Sequence, residues 1–172
     1  NGGNYTITRA GNSTSTITPK ALTLTAADVS KTYDGGTTYS TQAGDLTALS
    51  NQLITGDTVS SATISFADKN AATGSKVITL DAVTISDANN GGNYTITRAG
   101  NSTSTITQKS ATVSATTTTK TYNGLTQLQD AATSSGFIGG DAITISGQSS
   151  GKNAGTYTSN LAVSGNDAGN YS

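Results

Sequence analysis

The chain has 172 residues, 33% of them hydrophobic, and a net charge of −1, which allows one or two domains and excludes disorder driven by charge repulsion. It contains no Cys, His, Met or Trp, and all ten acidic residues are Asp. Disulfides, thiolate chemistry and the commonest general base and metal ligand are therefore excluded. The missing basic cluster argues against nucleic acid as a partner, and no apolar run approaches the roughly 18 residues that a membrane span needs.

Residues 1–18, NGGNYTITRAGNSTSTIT, return letter for letter at residues 90–107. The offset of 89 positions persists downstream, where Lys31-Thr32-Tyr33-Asp34-Gly35 is matched by Lys120-Thr121-Tyr122-Asn123-Gly124. A fixed period of this kind marks a folding unit copied in tandem. Glu and Met are missing and Thr fills about a fifth of the positions, which favours strands over helices.

Short alternating runs follow one another along the chain, from Tyr5 and Ile7 through Leu22 to Ala26, Ala62 to Phe66, Val77 to Leu80, Val83 to Ile85 and Tyr94 to Thr97. Further runs are Val113 to Ala115, Ile143 to Ile145 and Leu161 to Val163. Period-2 alternation predicts antiparallel sheets with one buried and one wet face. Turn signals at Asn90-Gly91-Gly92, Asn123-Gly124 and Gly139-Gly140-Asp141 separate the runs. Boundaries fall at Thr18-Pro19-Lys20 and Thr107-Gln108-Lys109, the first stiffened by the only proline. Residues 1–18 thus read as closing strands of a preceding module, 19–107 as a whole module, and 108–172 as a module lacking its last strands. The expected architecture is all-β, with tandem sandwich modules in an extended array.

The second module is shorter: Tyr33 to Tyr94 spans 61 positions and Tyr122 to Tyr171 spans 49. Its anchors survive, with Gly56-Asp57 matched by Gly140-Asp141, Lys69-Asn70-Ala71 by Lys152-Asn153-Ala154, and Asn93-Tyr94 by Asn170-Tyr171. The ordered anchors TYDG or TYNG, KNA and GNY resemble the YDG and MBG-type repeats of very large bacterial surface proteins. The longer module is similar to a YDG repeat and the shorter one to an MBG repeat. The resemblance implies immunoglobulin-like modules in the stalk of a filamentous-haemagglutinin-like adhesin, displayed extracellularly and exported through an outer-membrane partner pore. Neighbouring repeats would be the other partners, and the family supplies no catalytic residues.

No pattern in the sequence encodes a reaction, so a non-enzymatic protein is expected. Tyr33, Asp34, Tyr39 and Tyr122 are weak candidates for a ligand platform contacting glycan or matrix; the competing expectation is that the tyrosines cover the ends of the cores. Asp34 is expected to start a tight turn through its side chain, because its counterpart Asn123 cannot ionise. No cofactor is expected; a weak calcium site would require Asp28, Asp34 and Asp57 to meet through the fold. Lys69-Asn70 and Lys152-Asn153 raise an isopeptide crosslink, against exposed lysines in turns. Thr-x-Thr runs at Thr14 to Thr18, Thr103 to Thr107 and Thr117 to Thr119 raise an ice-binding ladder, against ordinary wet strand faces. Sequons at Asn4, Asn12, Asn93 and Asn101 raise glycosylation. The exact repeat also raises strand donation, in which residues 5–18 of one copy supply the strands that the last module lacks.

Overall fold

The structure, a computed structural model, describes residues 2–11, 13–128 and 131–172. The sequon residue Asn12 lies outside them. Strand is the dominant regular structure of the described residues, at 40% against 8% helix, consistent with an all-β chain that carries one short α-helix.

The first module runs β1 (Lys20–Thr25), β2 (Ser30–Thr32), β3 (Thr38–Tyr39), α1 (Ala43–Ser50), β4 (Thr58–Phe66), β5 (Ala72–Ser86), β6 (Tyr94–Ala99) and β7 (Asn101–Thr107). Five strands form one sheet in the order β2-β7-β5-β4-β3, and β1 pairs with β6 in a second. The alternation along β4 and β5 resolves as expected: Val59, Ile64 and Phe66 face the core, as do Ile78, Leu80 and Ile85, while most of their neighbours are wet. Leu24, Ile64, Ile78 and Ile106 are fully buried in the core.

Two features differ from the sequence expectation. The pairs β1–β6 and β2–β7 are parallel, whereas β3–β4, β4–β5 and β5–β7 are antiparallel. Alternation fixes which face a side chain takes but is the same for either strand direction. Helix α1 also stands where the composition predicts none. Asp45 accepts the Gln42 amide at 2.8 Å at its first turn, and Leu46 and Leu49 turn one stripe onto the core. Ser50 Oγ then accepts the Val59 amide at 2.8 Å and ties the helix to β4.

The second module contains β8 (Thr112–Ser114), β9 (Gln127–Leu128), β10 (Thr133–Ser135), β11 (Thr144–Ser146), β12 (Ser150–Gly151) and β13 (Ala162–Ser164), joined in three separate antiparallel pairs, β8–β10, β9–β12 and β11–β13, and not in one five-stranded sheet. Its parallel bridge Lys109↔Tyr171 reproduces Lys20↔Tyr94, and the Lys109 amide donates to Asn170 O at 2.9 Å as the Lys20 amide does to Asn93 O at 2.9 Å. In the described residues of 108–172 the apolar side chains are mostly half-buried or exposed.

The exact repeat is found in two environments. Residues 94–107 form β6 and β7, with Tyr94 9% and Ile106 0% exposed. Among the described residues of 5–18 none lies in a strand, and Tyr5 is 80% and Ile17 98% exposed. Gly100 shows the same contrast: a Cβ there would lie 1.8 Å from Ile78 O, whereas one at Gly11 would meet nothing within 4 Å. Identical sequence therefore becomes sheet only where the rest of a module surrounds it.

Candidate functional site: the joint between the modules

Each module closes one end with a tyrosine that donates to an aspartate. In the first, Tyr94 Oη donates to Asp57 Oδ2 at 2.5 Å and accepts the Ile54 amide at 3.0 Å. In the second, Tyr171 Oη donates to Asp141 and accepts the Ile138 amide at 2.9 Å. The anchors Gly-Asp and Asn-Tyr recur because together they build this latch.

At Asp141 the latch also holds the first module. Tyr33 Oη donates to Asp141 Oδ2 at 2.8 Å, and Lys69 Nζ bridges Asp141 at 3.2 Å and Asp167 at 2.8 Å. Tyr33 and Tyr171 meet edge to face with centroids 5.5 Å apart, and the Phe137 ring lies 4.8 Å from that of Tyr171. The Ala71 amide donates to Asn170 Oδ1 at 2.8 Å, and a Cβ at Gly35 would lie 3.4 Å from the Ile138 side chain. Two modules thus share a buried aromatic and charged joint.

The electrostatics follow from these contacts. The Tyr171 hydroxyl, helped by Tyr33 and Lys69, holds the Asp141 carboxyl below the usual carboxylate range despite burial. Lys69 and then the Ala142 amide do the same for Asp167. Burial, reinforced by Asp141, pushes the phenols of Tyr33 and Tyr171 up. Lys69 is raised, chiefly by Asp167, then by Tyr33 and Asp141.

The sequence candidates fall in different places. Tyr33, a candidate platform residue, is 1% exposed and belongs to the joint. Tyr39 is half-buried against Phe66 at 6.4 Å, and Tyr122 is 61% exposed. Asp34 starts a turn: its Oδ1 accepts the Gly36 amide at 2.9 Å and Lys31 Nζ at 2.7 Å, with Gly35 at φ +80°. Asn123 builds the same turn, accepting the Leu125 amide at 3.0 Å beside Gly124 at φ +78°. Asp28, Asp34 and Asp57 do not converge: each has its own partner, in Thr103, Lys31 and Tyr94. Among the described residues no three carboxylates form a metal-sized cluster. Lys69 directs its ammonium to the carboxylates of Asp141 and Asp167.

Sequence reasoning does not reveal the joint itself. Its residues are visible as repeated anchors, but their union links positions as far apart as Tyr33 and Tyr171. In the second module the surface equivalent to Tyr33 and Lys69 is exposed at Tyr122 and Lys152, beside a cleft of about 690 Å³ between Thr117–Lys120 and Lys152–Ser159. Among the described residues no helix is long and apolar enough to cross a membrane.

A family model described as the YDG domain matches residues 18–105 and again residues 107–172. The chain belongs to the YDG-domain family. The second module, whose anchors resemble an MBG-type repeat, matches the same YDG description as the first. No curated protein and no solved structure matches the chain.

Proposed function

We propose that this chain is a structural repeat of a bacterial cell-surface adhesin. In this reading its YDG modules are immunoglobulin-like β-sandwiches in an extracellular stalk, which projects a distal binding region and reaches the surface through an outer-membrane export pore. The observation that carries the reading is the joint: Tyr33, Lys69 and Gly35 of one module are bonded or packed to Asp141, Asp167 and Ile138 of the next. A stalk needs a defined angle between neighbours, and a joint made of a buried latch supplies it where a flexible linker would not. Repeated copies, the first tied together by two parallel strand pairings, suit a load-bearing spacer.

Two measurements test this. Small-angle scattering of tandem arrays with one, two and four copies should show length growing in proportion to copy number; growth as the square root, the signature of freely jointed beads, overturns the stalk. Antibody labelling of intact producing cells should place the chain outside, on fibres that shorten when repeats are deleted; label confined to the cell interior rejects the surface assignment. The alternative, a module that contacts glycan, matrix or ice, has Tyr122 beside the open cleft in its favour. Saturable glycan binding lost in Tyr122→Ala would support it.

A further inference from the structure

Cys, Met, Trp and His are all missing from this chain, and with them the thiols and thioethers on which oxidants ordinarily act. The phenols of its seven tyrosines are then the side chains from which an electron is most readily taken. Among the described residues only two tyrosine rings meet, Tyr33 of the first module and Tyr171 of the second, edge to face with centroids 5.5 Å apart. Tyr39 packs on Phe66, Tyr94 is latched to Asp57, and Tyr5, Tyr122 and Tyr157 are exposed.

The two hydroxyls of this pair converge on one atom. Tyr33 Oη donates to Asp141 Oδ2 at 2.8 Å, and Tyr171 Oη donates to the same oxygen. The phenolic oxygens are therefore no farther apart than two hydrogen bonds laid end to end, so the hydroxyl-bearing ends of the rings, with the ortho carbons beside each hydroxyl, stand together. A shared acceptor also matters for electron loss. Lys69 Nζ lies 5.9 Å over the Tyr33 ring and opposes a positive charge there, so the electron must leave together with the hydroxyl proton. Asp141 is placed to take that proton, and Lys69, bonded to Asp141 Oδ1 and 37% exposed, connects the carboxylate with solvent.

Burial completes the arrangement. Tyr33 is 1% and Tyr171 8% exposed, and the Phe137 ring stands 4.8 Å from that of Tyr171. A radical formed on either phenol is shielded from other molecules, and the nearest group able to react with it is the second phenol.

We propose that Tyr33 and Tyr171 are an oxidative modification site, at which a carbon–carbon dityrosine bond joins the two modules covalently. Each phenol loses one electron to a one-electron carrier and its hydroxyl proton by way of Asp141 to water. The two phenoxyl radicals then form a bond between ortho carbons, and the hydrogen on each of those carbons moves to the oxygen of its own ring, which restores both phenols. Two hydrogen atoms are lost in all, and they reduce one peroxide, hydrogen peroxide becoming two waters. In a chain without cysteine the bond takes the place of a disulfide between modules, and reductants do not open it. This rests on the joint that also supports the stalk reading, but it adds that the joint is locked by oxidation.

Photo-oxidation of the dilute 172-residue chain by ruthenium(III) tris-bipyridine tests it, with persulfate in place of hydrogen peroxide and ending as two sulfates. Dityrosine fluorescence should appear while the chain stays at 17.1 kDa in a denaturing gel. Peptide mass spectrometry should find the peptide of Tyr33 joined to that of Tyr171 with the loss of two hydrogen atoms. Tyr122→Phe with Tyr157→Phe, both exposed, should leave the link in place, and Tyr33→Phe should abolish it. Because Tyr33→Phe also alters the joint, the deciding result is the link mapped in the parent chain. Cross-links confined to Tyr5, Tyr122 or Tyr157, or a Tyr33–Tyr171 link that forms equally well in urea, where the joint is unfolded, overturn the proposal. Once linked, the joint should keep its scattering angle at the pH extremes where the unlinked joint opens. Arrays that lengthen in proportion to copy number while no such link forms would leave the stalk reading standing as this inference fails.

Discussion

Because the same 18-residue sequence occurs twice, one substitution can be made in two environments with local propensity held constant. Ile106→Ala removes three carbons from a side chain that is 0% exposed, whereas Ile17→Ala removes the same three from one that is 98% exposed. At about 0.8 kcal/mol per buried methylene the transfer loss alone is about 2.4 kcal/mol. The cavity left in the core brings the expected cost of Ile106→Ala into the range of about 2–5 kcal/mol. For a domain of this size that lowers the melting temperature by about 10–40 °C, while Ile17→Ala should stay within about 0.5 kcal/mol of the parent. Calorimetry at dilute concentration measures both, with amide exchange of β5 reporting the first module separately because the modules need not unfold together. Equal shifts for the two variants would refute the argument that burial, not sequence, makes residues 94–107 a structural element.

Other outcomes follow from the joint. Asp141→Asn leaves Lys69 without one partner and weakens hydrogen bonds that Tyr33 and Tyr171 make to a charge; each such bond contributes about 1.5–3 kcal/mol, so the second module should melt earlier and the joint angle broaden in scattering. Gly35→Ala should both strain the turn and set a methyl in van der Waals contact with Ile138, whereas Gly124→Ala strains its turn alone; nuclear magnetic resonance shifts at Phe137 and Tyr171 should move only in the former. The joint should also open at both pH extremes. Asp141 and Asp167 are held below 3.8, so their contribution is present above that value and is lost as the pH falls through their lower folded values; Tyr33 and Tyr171 are raised above 10.0, so theirs is present below 10.0 and is lost as the pH rises through the higher folded values. A pH titration of the joint angle checks this, and a joint that loosens near neutrality contradicts it.

The strands were legible because a half-buried sheet writes its faces into the sequence, as Val59, Ile64 and Phe66 show. Strand direction was not, since parallel and antiparallel neighbours demand the same alternation. Helix α1 is hidden when helix content is judged from the whole composition; Leu46, Leu49 and Leu53, spaced three and seven apart beside Asp45, are the local signal. The joint was half legible. Lys69, Asp141 and Tyr171 stand out as anchors kept in both copies, but an anchor shared by two modules looks the same whether it serves its own core or its neighbour. Tyr33 illustrates the difficulty: its role depends on Asp141, 108 positions away, and its counterpart Tyr122 is exposed in the same chain.

Topology gives the proposed stalk a mechanical prediction. The first module is held at Pro19 and Gln108, and tension along an array would pull β1 by its beginning and β7 by its end. Because β2 and β7 are parallel, these forces slide the two strands past each other and load the pairs of Ser30 with Thr105, Lys31 with Ile106 and Thr32 with Thr107 together. β1 and β6 are parallel as well, so their six paired positions are loaded in the same shearing sense. An antiparallel pair pulled from its open end would instead break one bond at a time. Optical or atomic-force pulling on an array should therefore show abrupt, high-force unfolding, each event lengthening the chain by about 300 Å for a module stretched at roughly 3.3–3.6 Å per residue. Pulling instead through cysteines placed at Thr58 and Ser86, the paired open end of the β4–β5 hairpin, opens the sheet by peeling and should need markedly less force. Equal forces in the two directions would show that the parallel pairs bear no load, and would remove the mechanical reason for joining the first strands of a module to its last.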